Sequence, residues 1–491
     1  MRARVVTAWL CALTVSAPPA LPIAPAVAAE PMTDRLLVTL DEAVRLALRD
    51  NYDARIAHLE RIVQRYAVYV ARDKFRPHIS LTAQAGKTWA TTPVVVQAPE
   101  GATVSLAPHA EILLPTGALL SADLVQRYGA PPLVAGQPLS QGLALTLTQP
   151  LLRNFGRDVN EASVSVAALT DGINKLTLKG RLMTVVSDVT YAYRACLAAS
   201  RLLVIARKAV ERAEELLDIN HQMVAAGRMA QADLIQVESA IASRNLERLN
   251  AETRYMETQL TLLRLLALSP DAPITPVEEE TATLVLPRPE EATALALRNR
   301  PEYYAALLDQ QIAAKNLLLA ESNRLWDLSF TAQHIRGAAT GNFLASLGQA
   351  LPGPQQSTFV GLVLNVPLID VTLRQQVLAG EVALSEAGVM LESTRNAIEV
   401  EMRLPMREVR LAEQRLQLAQ TARVLAEKKL DNERQKLSAG RSSNFQVLRF
   451  VDDLVVAEAG ELNARISYRN AATTFALRTG RLLEDLDVAI N

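Results

Sequence analysis

The side chains able to do acid–base, nucleophilic or metal chemistry are present but dispersed. Histidines stand at 58, 78, 109, 221 and 334, and none shares the short spacing that lets two imidazoles hold one metal ion. Removal of an N-terminal leader leaves one thiol, Cys196, with no histidine nearby in sequence to activate it. Such a cysteine is expected to pack in a helix seam. No phosphate-cradling glycine loop or nucleophile elbow occurs, and the Asp452-Asp453 pair reads as a helix surface. The expectation is a passive protein with no catalytic residue, metal or cofactor.

Composition narrows the class. The chain has 491 residues, a formal net charge of -1, 49% hydrophobic residues and 4% aromatics. Few aromatics among abundant Ala, Leu, Arg and Glu favour paired helices with thin seams over a thick core. A balanced charge argues against nucleic acid as partner. Arg2 and Arg4, the apolar run Val5–Val15 and the small residues around Ala28 and Ala29 have the layout of a cleaved export signal, residues 1–29. "TAWLC" lacks the small residues that precede a lipidated cysteine. One remaining cysteine permits no intrachain disulfide. No later run of 18 uncharged apolar residues suggests a transmembrane helix.

Three collinear matches reveal internal duplication. "DEAVRLALRDNYD" (Asp41–Asp53) returns as "EEATALALRNRPE" (Glu290–Glu302), 249 residues on; "LTLTQPLLRNFGR" (Leu145–Arg157) returns as "LVLNVPLIDVTLR" (Leu362–Arg374), 217 on; and Ala226-Gly227-Arg228 returns as Ala439-Gly440-Arg441, 213 on. The offset falls by 32 between the first two matches, so the first copy carries extra residues between about 84 and 144. It falls by only 4 across the following stretch, as a rigid rod flanked by a variable loop would require. The boundaries expected are 30–268 for the first repeat, 269–289 for a linker, 290–480 for the second repeat and 481–491 for a tail.

Each copy reads as helix, strands, long helix, reversal, helix. Residues 41–74 and 290–324 have helical apolar spacing behind acidic starts. Residues 159–226 contain no proline, and Leu202, Ala206, Ala209, Ala213, Leu216 and Met223 follow a coiled-coil seam. Ala242, Leu246, Leu249, Met256, Leu260 and Leu263 do the same in 230–268, and Ala412, Leu416, Ala419, Ala426, Leu430 and Leu437 in 372–439, ahead of a helix over 442–480. Gly227 and Gly440 read as the helix stops where the chain reverses. Pro405 should kink the second rod. Four alternating stretches, in "PHISLTAQAGKTWA", "GLALTLTQ", "LWDLSFTAQH" and "TFVGLVLNV", have the length of tilted membrane strands, with Trp89 and Trp326 placed as an interfacial girdle. Four strands cannot close a barrel, so protomers must pool them.

In order and duplication, "VTLDEAVRLALRDN", "FRPHISLTA", "LTQPLLRNFGR" and the paired turns resemble the TolC-like outer membrane efflux family over nearly the whole mature chain. That resemblance implies an α+β membrane protein: a homotrimer giving four strands per protomer to one twelve-stranded β-barrel in outer membrane lipid, continuous with a hollow barrel of antiparallel coiled-coil helices in the periplasm. It also implies an exit duct working with a periplasmic adaptor (membrane fusion) protein and an inner-membrane transporter of RND, ABC or MFS type, or serving type I protein secretion. Adaptor docking would fall on Ala226, Gly227, Arg228, Ala439, Gly440 and Arg441, although helix stops alone also explain the glycines. The family's acidic constriction is only partly matched. Asp233 fills the first acidic position of copy one, while copy two reads Gln446 and Arg449, with Asp453 one turn on as a partner for Arg449. The extra residues of copy one should form a hairpin around "LPTG", expected at the extracellular end. The rival class is a periplasmic adaptor or structural coiled coil, which should carry one hairpin and no membrane-type strands.

Overall fold

The computed structural model describes residues 36–88, 101–129, 139–278, 285–340, 355–439 and 441–486. Its first helix, α1 (Leu40–Asp50), starts at a reciprocal cap: the Glu42 amide donates to Thr39 Oγ1, and Glu42 Oε2 accepts the Thr39 amide at 2.9 Å. The single helix expected over 41–74 is two. The Asn51 side chain accepts the amides of Asp53 and Ala54, starting α2 (Tyr52–Asp73) at a new angle, and its Nδ2 donates to the Leu265 carbonyl at 2.8 Å. The same break recurs 249 residues later between α5 (Pro289–Asn299) and α6 (Pro301–Arg324), where Pro301 has no amide to donate.

One rod is continuous. The helix α3 (Arg157–Ala225) runs 69 residues, about 100 Å. Its counterpart divides into α7 (Val371–Glu401) and α8 (Arg403–Ser438) at Met402. The break lies one turn before Pro405 because the proline ring would meet the Glu401 carbonyl and offers it no N–H. The returning helices are α4 (Leu234–Leu265), behind a short 3-10 turn over Gln231–Asp233, and α9 (Asn444–Arg478). A final turn, α10, spans Leu482–Asp485. Near the sheet the helices form the row α2, α3, α6, α7; towards the far end the row is α4, α3, α9, α8.

The two levels meet at an equator where the core is thickest. Here β1 (Leu36–Val38) pairs in parallel with β6 (Ile274–Pro276), and the Tyr193 hydroxyl lies 2.9 and 2.6 Å from the carbonyls of Val38 and Val277. Val189, Tyr193, Cys196, Leu262, Leu263 and Leu266 are buried around them. By length and composition α3 is apolar enough to cross a membrane, but Val185, Val186, Val189, Tyr193 and Cys196 fill this core and the one beside it. Cys196 is fully buried, as expected, and burial pushes its thiol up to about 11.

The sheet departs from expectation. It holds six strands: β2 (His78–Thr88), β3 (Gly101–Leu113), β4 (Leu119–Gly129), β5 (Leu139–Pro150), β7 (Asp327–Thr340) and β8 (Gln355–Asn365), paired in that order and all antiparallel. Four of these follow or precede helices, as anticipated. The extra pair, β3 and β4, is inserted between β2 and β5 instead of standing outside the sheet. Its turn, Leu114–Ala118, lies at the helical end and not at the extracellular end. The reason is close packing: Gly117 has φ +92°, a Cβ there would lie 2.4 Å from the Asn154 carbonyl oxygen, and Gly156 donates to the Thr116 carbonyl at 3.2 Å.

Candidate functional site

The two reversals are built alike. At the end of α3 the amides of Ala226 and Arg228 donate to Gln222 and Met223 carbonyls at 3.0 and 2.9 Å, and Gly227 takes φ +70°. At the end of α8 the amides of Ala439 and Arg441 donate to Gln435 and Lys436 carbonyls at 3.2 and 2.8 Å. Every donor and acceptor is displaced by the 213 residues seen in the sequence. The bond spanning six residues is the Schellman closure, which satisfies a carbonyl the helix end would otherwise leave bare. Gly227 needs its left-handed backbone and nothing crowds its Cβ position, so the tip leaves space around it. Gly440 falls outside the described residues.

Packing holds the tips together. Leu216, Val237, Leu430, Leu437, Val447, Phe450, Val451 and Leu454 form one cluster drawn from α3, α4, α8 and α9. Ionic contacts lace the hairpins: Arg212 grips Glu458 at 2.7 and 3.2 Å, Arg434 meets Glu215 at 3.5 Å, and Arg244 pairs with Asp452. Across the second tip Ser442 donates to Glu433 at 2.7 Å. That hydroxyl, with the Lys436 ammonium, holds the Glu433 carboxyl below the usual range.

The suggested mouth residues are brought to this end, with one change of partner. Asp233 is half-buried in the turn before α4, Gln446 is half-buried on α9, and Arg449 is exposed one turn further on. Asp453 accepts from Lys429 of α8 at 2.8 Å; among the described residues it does not pair with Arg449. The hairpin partner wins because α8 lies alongside α9, whereas Arg449 points towards solvent.

The sheet is two-faced. Ile79, Leu81, Ala83, Leu106, Ala110, Leu120, Ala122, Leu124, Leu143, Leu145, Leu147, Leu328, Phe330, Ala332, Val360, Leu362 and Leu364 lie in register on one side, which His334, Arg336, Gln356 and Thr358 interrupt on β7 and β8. On the other lie Ser80, Thr82, Gln84, Ser121, Thr146, Thr148, Ser329, Thr331 and Gln333, with Ile335, Phe359 and Val363 as apolar exceptions and with His109 held 2.6 Å from Asp123 and 3.4 Å from Glu111. Sequence reading took the histidines as isolated and missed this group, since the pairing of β3 with β4 that assembles it joins residues 14 apart. Trp326 is half-exposed at the helical end of β7, consistent with an interfacial position; Trp89 lies outside the described residues.

The outer columns are bare. On α2, Ile56, Leu59, Val63, Tyr66 and Val70 are exposed at 3,4 spacing; below them on α4, so are Leu246, Leu249, Met256 and Leu260. On the opposite flank Leu378, Val382 and Val389 of α7 and Leu404, Leu411, Leu418 and Leu425 of α8 are exposed, the last four at strict heptad intervals. Much of the seam expected for residues 230–268 therefore has no partner among the described residues. The sheet edges β2 and β8 stand above these same two flanks.

No protein-family model matches the chain, and no curated protein matches it by sequence. Solved structures do. The outer membrane protein VceC from Vibrio cholerae aligns over 92% of this chain and 97% of its own, with a TM-score of 0.64 at 15% identity. The Campylobacter jejuni CmeC outer membrane channel aligns over 94% of both chains, at 0.65 and 16%. The open state of the Neisseria gonorrhoeae MtrE outer membrane channel aligns over 90% of this chain and 89% of its own, at 0.62 and 15%. This chain has the fold of these outer membrane channels, the fold that its TolC-like features implied.

Proposed function

We propose that the protein is an outer-membrane exit duct, exported behind a cleaved leader (residues 1–29), descended from a tandem duplication and working as a homotrimer. One observation carries the reading: a sheet with a mainly apolar face, broken by a polar patch on β7 and β8, and two open edges rises from a helical row whose flanks expose heptad stripes. An apolar sheet face belongs in lipid, and in lipid unpaired strand edges are not tolerated. Matching left and right flanks make a heterologous contact that closes into a ring. Helices about 100 Å long then continue the pore through the periplasm. No chemistry is asked of the wall, so the duct is passive. The tips at Ala226, Gly227, Arg228, Ala439, Gly440 and Arg441 are where an adaptor would dock, delivering cargo from an inner-membrane transporter, and Asp233, Gln446, Arg449 and Asp453 line the mouth beside them.

Fractionation of cells making the full chain tests this. The expected product is a trimer in the outer membrane that needs detergent for extraction. A monomer soluble without detergent overturns the proposal.

A further inference from the structure

We infer that the β3–β4 hairpin is part of the pore wall, so that three copies close into a barrel of eighteen strands, six from each. The inference rests on the trimeric duct proposed above and departs from the twelve strands that the family resemblance implies. Three observations converge on it. The hairpin is hydrogen-bonded into the sheet, β2 to β3 and β4 to β5, leaving β2 and β8 as the edges among the described residues. These run in opposite directions, so the β8 edge of one copy meets the β2 edge of the next as another antiparallel pair. The hairpin also shares the sheet's two faces. Leu106, Ala110, Leu120 and Leu124 continue the apolar side, while His109, Glu111, Ser121 and Asp123 continue the polar one. An appendage outside the wall would not need that division.

Girth gives an independent argument. Strands about 4.8 Å apart and tilted by about 40° each occupy about 6.3 Å of circumference. Six strands then cover about 38 Å and four only about 25 Å. Four helix columns packed at about 8–10 Å cover about 32–40 Å. The six-stranded sheet thus matches the helical row beneath it. The turn at Thr116-Gly117 seals the join, docked on the loop that opens α3, where Asn160 Nδ2 donates to the carbonyls of Asn154 and Gly156 at 2.8 and 2.9 Å. A membrane section as broad as the periplasmic one passes whatever the mouth admits, and each copy sets two carboxylates, Glu111 and Asp123, towards the lumen.

Cryo-electron microscopy of the native detergent-extracted trimer counts the strands directly. Spin labels at Leu120→Cys and Ser121→Cys give a second reading, because buried Cys196 contributes no signal. Eighteen strands, with the label at 120 at least tenfold more accessible to oxygen than to a water-soluble relaxant and the label at 121 reversed, is the expected result. A trimer with twelve strands, or with both labels water-exposed, overturns the inference and leaves the duct intact. A soluble monomer removes both.

Discussion

Arg61 of α2 and Asp171 of α3 face each other at 2.6 Å, off the ideal hydrogen-bond axis, with Lys175 at 3.3 Å on the other side of the carboxylate. Both side chains of the pair are largely shielded from solvent. Arg61, then Lys175, holds the Asp171 carboxyl below the usual aspartate range. Its stabilising contribution is therefore complete above the ordinary aspartate pKa and is lost as pH falls below about 4, through the lowered folded value. Exposed pairs contribute roughly 0.2–1 kcal/mol, and breaking a buried one costs roughly 3–5 kcal/mol. For this shielded pair, Arg61→Ala is expected to cost about 2 kcal/mol at pH 7 and progressively less towards pH 3. Denaturant unfolding of the detergent-extracted protein at both pH values measures it; a cost that does not change with pH would show that lost packing, not charge, is responsible.

Among the elements, the long rods were legible because their seams repeat over many turns, and Ala209, Ala213, Leu216, Ala412, Leu416, Leu430 and Leu437 are buried as read. The interruptions at Asn51 and Arg300 were not legible. Both lie in unbroken apolar periodicity: Asn51 ends its helix by capping the next two amides with its side chain, whereas Arg300 makes no such cap and its break is set by Pro301, a signal the periodicity overrode. Nor could the sequence say which seams close within the chain: a heptad stripe looks the same whether its partner is covalently attached or a second copy. The link between the two hairpins is likewise a matter of distant partners, and Arg212 of α3 with Glu458 of α9 is its best-defined ionic contact, a two-pronged pair with 19% exposure on each side chain. Arg212→Ala and Glu458→Gln are each expected to destabilise by about 1–2 kcal/mol, and the double variant by little more than either alone. Additive losses in that double-mutant cycle would mean that the two side chains act separately.

For the whole molecule, the sequence matches at offsets of 249, 217 and 213 fall on elements of the same kind, but they did not place the inserted hairpin. Thirty-two extra residues with strand-like alternation fit a loop beyond the sheet as well as strands within it; pairing to β2 and β5, and the contact of Gly117 with the loop before α3, put them in the sheet, and neither is local in sequence. The mouth poses the converse problem, since its residues were read individually and their effect is collective. Three copies of Asp233 would stand around one axis, with three exposed Arg449 close behind. A unit charge about 10 Å from a permeating ion is worth about 0.4 kcal/mol in water, and about 0.1 M salt screens that to roughly a third. Three such charges act with opposite sign on cation and anion, and together change their permeability ratio by about fivefold. Asp233→Asn is expected to lower the cation-to-anion permeability ratio of single trimers by about that factor, and Arg449→Ala to raise it, both effects growing as salt is diluted. Unchanged ratios in both variants would place these residues on solvated helix faces away from the permeation path, leaving the tips as docking surfaces only.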